Sequence, residues 1–94
     1  MTDKGLGKKA LKAFMPEARM IANRVDPLDV IKMGASKDEY DSLVGEAARL
    51  LAQGVPNLDV RLAQFIRRQY GVEPRQSSVP KLAAELSAAW RAAQ

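Results

Sequence analysis

The 94-residue chain has no cysteine and no histidine, so nearly all the chemistry it offers near neutral pH comes from fifteen Lys and Arg and eleven Asp and Glu, a net charge of +4. Thiol nucleophiles, disulfides, soft-metal sites, zinc sites built on His or Cys, and any general acid or base that titrates unperturbed near pH 7 are thereby excluded. The carboxylates Asp26, Asp29, Asp38, Glu39 and Asp41 are numerous enough to hold a hard divalent cation or form an acid and base pair. They coincide with predicted helix starts, where capping and the helix dipole account for them, and no D-x-D-x-D-G spacing occurs. There is no G-x-S-x-G and no P-loop, and Gly5-Leu6-Gly7 lacks the third glycine of a dinucleotide fingerprint. The expectation is a protein that is not an enzyme and uses neither metal nor cofactor.

The cations are more suggestive. Arg61, Gln64, Arg67, Arg68 and, beyond a turn, Arg75 form a candidate interaction face, since positions 61, 64 and 68 recur on one side of a helix. Guanidinium forks bind phosphate or carboxylate, and a helix entered through Gly-Val-Pro-Asn superficially fits a helix-turn-helix. No aromatic residue interleaves with these bases for stacking, which favours a protein-facing or solvated surface over nucleic acid. Lys4, Lys8, Lys9 and Lys12 beside Leu6, Leu11 and Phe14 form a second basic cluster, of the kind that lies on an anionic membrane or in a partner's groove, or simply faces solvent at a chain end. Asp38, Glu39, Tyr40 and Asp41 make an acidic and aromatic patch; the Tyr40 hydroxyl is expected either to bond a carboxylate or to face a ligand.

These residues need helices to position them. Apolar residues from Leu6 to Val25 keep to one side of a helix, and Pro16 predicts a kink or a division into two short helices. Asp26-Pro27-Leu28-Asp29 reads as the start of a short helix to about Met33, ended by Gly34, although alternation at Leu28, Val30 and Lys32 allows a strand. Ser36-Lys37-Asp38-Glu39 reads as a capping box opening a helix with Tyr40, Leu43, Val44, Ala47, Leu50 and Leu51 on its inner stripe, ended by Gly54. Asn57 is the expected cap of a helix carrying Leu58, Leu62, Phe65, Ile66 and Tyr70 inside, stopped by Gly71. After a loop over 72–79, Ser78 caps and Pro80 enters the last helix, which packs through Leu82, Leu86, Ala89 and Trp90. All five aromatic residues, these and Phe14, fall on apolar stripes, where core packing is the default.

The reading is therefore an all-α compact bundle of four to five helices in one domain over 1–94, with residues 1–5 expected to be disordered. No apolar run reaches the length of a membrane span and no export signal opens the chain, so a cytoplasmic location is expected. Charge divides into three segments: +4 over 1–25, −4 over 26–59 and +4 over 60–94.

Asp26-Pro27-Leu28, Gly34-Ala35-Ser36-Lys37-Asp38-Glu39-Tyr40-Asp41 and Leu62-Ala63-Gln64-Phe65-Ile66 together resemble the pattern D-P-[IL]…G-A-P-x-D-E-Y-D…L-A-x-x-I of a small bacterial all-helical protein family of unknown function (YugE-like), with Ser36 in place of the usual proline. The likeness covers about residues 20–71 and implies a cytoplasmic helical fold, no established activity and no catalytic residues. The function expected is a non-enzymatic protein-protein interaction module, an adaptor or regulator or, more narrowly, a toxin-immunity type of inhibitor. Self-association as a homodimer is a further expectation for so small a chain. The competing class is nucleic-acid binding through the arginine-rich helix face.

Overall fold

Side chains that recur as apolar every third or fourth residue give each predicted segment one face that must leave water, and four helices share the burden. The computed structural model describes the backbone of residues 2–75 and 77–94, with side chains from Lys8 onward. It contains α1 (Thr2–Val25), α2 (Asp41–Ala52), α3 (Leu58–Tyr70) and α4 (Ser78–Ala93), and no strand among the described residues. The expectation of disorder over 1–5 lies outside the described side chains.

Each helix packs on its neighbours in turn, α1 on α2, α2 on α3, α3 on α4, and α4 back on α1. Phe14, Tyr40, Leu43, Leu50, Leu62, Ile66, Leu82 and Leu86 are fully buried at the centre. At roughly 1.5–3 kcal/mol for each such side chain, this shared interior is the main force holding the rods together. Phe14 meets Trp90 edge to face, with ring centroids 5.4 Å apart, and Arg24 pairs with Glu85 further along the same two helices. α1 and α4 therefore run antiparallel.

Two local expectations fail, and a third is narrowed to one of its alternatives. Pro16 neither ends α1 nor divides it, for the helix continues through it to Val25. Proline removes the N–H that would reach the Lys12 carbonyl; both residues are exposed, so water can take that acceptor. Pro16→Ala is accordingly expected to raise stability by about 1–3 kcal/mol, seen as a higher urea midpoint with an unchanged slope.

The segment from Asp26 to Gly34 forms successive turns instead of a short helix, with Asp26 at φ 51° and Asp29 at φ 58°. The Ser36 capping box does not form either. The Ser36 hydroxyl bonds the Asp38 carboxylate at 2.5 Å, residues 37–40 make a turn, and α2 begins at Asp41. Ser36 thus spends its hydrogen bond two residues on, a local competitor of capping.

The remaining boundaries fall close to expectation. Gly54 and Gly71 take the left-handed conformation after α2 and α3, at φ 69° and 72°. Asn57 does precede α3, but at φ 59° and with no side-chain cap bond. Ser78 lies inside the first turn of α4, donating to the Arg75 carbonyl at 2.6 Å, and Pro80 follows in that turn.

Candidate functional site

The five members of the arginine face start from one helix but do not stay together. Arg67 reaches Glu73 at 2.6 Å, across the turn that follows α3. Arg75 turns inward: its Nε lies 3.1 Å from the Asp29 carboxylate and its Nη2 donates to the Val25 and Asp26 carbonyls at 2.6 and 3.2 Å. It is a strut between the start of α4 and the end of α1.

Arg61 and Arg68 make no ion pair within 4 Å among the described residues, and their charges are a minor part of what holds the Glu46 carboxyl of α2 below its usual range. The larger cause there is the hydrogen bond from Arg49. Arg68 also lies over the Phe65 ring, 5.8 Å from its centroid, so an aromatic partner is present that the sequence reading did not credit. Gln64 stays exposed between them. The face is thus Arg61, Gln64 and Arg68 on the exposed side of α3, with the half-buried Phe65 ring under Arg68. Arg67 and Arg75 are engaged elsewhere.

The acidic patch also divides. Asp38 and Glu39 are exposed, whereas Asp41 is held by Arg19 through two bonds of 2.9 and 3.0 Å. Tyr40 is fully buried and so contributes no surface to the patch. Its hydroxyl donates to the Asp26 carboxylate at 2.5 Å and accepts from the Leu28 amide at 2.9 Å. Of the two fates the sequence allowed, the first is realised, but with a carboxylate fourteen residues away and none of the neighbouring acids.

Asp26 is the least expected residue of the set. It is buried, and its two oxygens accept the Ile31 and Lys32 amides at 3.1 and 2.9 Å besides the tyrosine hydroxyl. Burial pushes its carboxyl pKa up, but the bonds from Tyr40 and from the following amides outweigh it and hold the group ionised below its ordinary value. Tyr40 is shifted in the opposite sense, well above an ordinary phenol, by burial first and then by its bond to Asp26.

Asp26, Tyr40 and Arg75 therefore clamp the 26–40 segment from three sides. Tyr70 adds a ring beside Tyr40 and a bond to the Glu39 carbonyl at 3.1 Å. The only sign in the sequence was the pairing of a capping acid at Asp26 with a tyrosine on a stripe; nothing local shows that the two meet.

Chemically, this network is saturated. The carboxylate takes three donors and the hydroxyl both gives and receives, so their capacity goes into holding backbone. An open depression of about 360 Å³ lies above it, lined by Asn23, Arg24, Asp26, Asp29, Ile31, Lys32 and Arg75. Among the described residues no group of three or more carboxylates is placed to hold a metal ion, and no helix is long and apolar enough to cross a membrane. Of the second basic cluster, Lys8, Lys9 and Lys12 are exposed and Leu11 is half-buried, while Phe14 is consumed by the core. Lys4 and Leu6 lie outside the described side chains. Comparison of the chain with protein-family models, curated proteins and solved structures finds no match.

Proposed function

We propose that this chain is a non-enzymatic protein-interaction module, an adaptor or regulator that presents Arg61, Gln64 and Arg68 to an acidic surface of a protein partner. The observation carrying this reading is the joint exposure of Arg61, Gln64 and Arg68 on α3, with Arg68 over the half-buried Phe65 ring, while Arg67 and Arg75 already hold carboxylates. Two exposed cations beside a partly exposed ring suit the contacts of a protein surface. The clamp on the 26–40 segment supports the same reading, because it spends the buried polar groups on rigidity.

Capture of partners from a lysate of the source cells by wild type and by an Arg61→Ala, Arg68→Ala double variant tests the reading. Loss of a discrete protein from the variant's set is expected, since arginine anchors at interfaces commonly cost at least about 2 kcal/mol, some thirtyfold in affinity, when truncated. Identical sets reject this face as the binding surface. Retention of nucleic acid by wild type, lost in the variant, would establish the competing class.

A further inference from the structure

A different surface carries a second proposal, independent of the arginine face. Lys8, Lys12, Met15, Arg19 and Asn23 recur at intervals of four and three, so they share one outer stripe of α1. The stripe continues onto the next element, because Arg19 binds Asp41 and the Asn23 amide donates to the Lys37 carbonyl at 3.0 Å. Residues 37–41 therefore lie level with residues 19–23 of α1. The cationic end of the strip holds Lys8, Lys9 and Lys12, exposed and without a carboxylate within 4 Å among the described residues. Its other end holds Asp38 and Glu39, exposed, with Lys37 only partly offsetting them.

Between these ends lies a groove lined by Met15, Pro16, Arg19, Asp41 and Val44, about 290 Å³ in volume, and Met15 is 36% exposed. On the α2 side of the strip Gly45 is exposed, and nothing stands within 4 Å of where its Cβ would be. A second helix can approach there closely.

The midpoint between the lysines, centred near residue 10 of α1, and the acids, level with about residue 21, falls at Met15–Pro16. Reversing such a strip about its own centre lays plus on minus at both ends and thioether on thioether in the middle. We propose that the outer face of α1 and the start of α2 pair with the same face of a second copy of this chain, antiparallel about a two-fold axis at Met15–Pro16. One contact then supplies both ionic ends, and the assembly closes at two copies.

Its size sets its strength. A strip about 22 Å long by about 20 Å wide buries on the order of 900 Å² in total, at the low end for specific association, so the dimer is weak and salt-sensitive.

Sedimentation equilibrium of the full chain at about 0.1 mM and low salt should show a monomer–dimer equilibrium whose Kd rises as salt is added. Lys8→Glu with Lys12→Glu gives one variant with two negative ends, and Asp38→Lys with Glu39→Lys gives another with two positive ends. Each alone is expected to be monomeric, with Kd weakened at least about tenfold, and an equimolar mixture should regain the dimer. All substituted side chains are exposed, and circular dichroism on each variant confirms that the helices remain. A wild type that stays monomeric, or variants that dimerise as well as wild type, overturns the proposal. So does a mixture that stays monomeric, or binding of the lysine face to phosphatidylserine vesicles without self-association.

Discussion

Replacing Asp26 with alanine is expected to destabilise the fold by about 3–5 kcal/mol, since it strands the buried Tyr40 hydroxyl and removes the acceptor of the part-buried Ile31 and Lys32 amides. A domain of this size holds on the order of 5–14 kcal/mol in all, so the loss removes a large share. Asp26→Asn should fall between wild type and Asp26→Ala, because an amide retains one acceptor oxygen but presents its NH₂ to at least one donor. Urea unfolding followed by circular dichroism checks the order.

The pH dependence carries the same signature. Asp26 titrates below its unfolded value, so its contribution is complete above the ordinary carboxylate range, near pH 4, and is lost as pH falls through the lower folded value. The gap between wild type and Asp26→Asn should therefore close in acid. Tyr40 titrates above its unfolded value, so its contribution is complete below about pH 10 and is lost as pH rises beyond that; Tyr40→Phe should lack this alkaline component. A loss under about 1 kcal/mol for Asp26→Ala would mean that the Asp26 carboxylate is not what holds the 26–40 segment.

Phe14→Ala is expected to cost about as much, 3–5 kcal/mol by the usual scale for aromatic truncation in a closed core. Phe14 is wholly buried and its ring meets the edge-to-face partner Trp90, itself 8% exposed. The cavity falls between α1 and α4, so the Trp90 fluorescence should shift to longer wavelength as water reaches the indole. Phe14→Leu, which refills most of the volume, should lose no more than about half as much. An unshifted spectrum with a small loss of stability would show that the two helices do not depend on this pair.

The two changes probe what was legible in the sequence and what was not. The inner stripes of α2, α3 and α4 could be read from spacing alone, and every fully buried leucine of these helices lies where periodicity puts it, because a helix can turn only one face to the interior. The stops at Gly54 and Gly71 were legible for a similarly local reason: glycine enters the left-handed region with little penalty.

Residues 26–40 were not legible. There Asp26 has the composition of a helix cap, but its carboxylate reaches five and six residues ahead and is fixed by a tyrosine that arrives from beyond the next turn. Ser36 and Glu39 carry the letters of a capping box, yet Tyr40 must be drawn to Asp26, which leaves the chain to turn and start α2 at Asp41. Of the kink or division read at Pro16, the division does not occur, since a long helix packed against two others tolerates one missing hydrogen bond on its wet side.

The arginine face was half legible. Spacing placed Arg61, Gln64 and Arg68 together, but their partition from Arg67 and Arg75 depends on where Glu73 and Asp29 stand in space. Phe65 was assigned wholly to the core, although it also seats a guanidinium.

The central claim is that Arg61 and Arg68 flank a contact with another protein. A photo-reactive amino acid at position 64, between them, tests it in living cells: a discrete protein adduct that disappears in the Arg61→Ala, Arg68→Ala background is the expected result. Adducts to nucleic acid, or a protein adduct indifferent to the loss of both arginines, would contradict it.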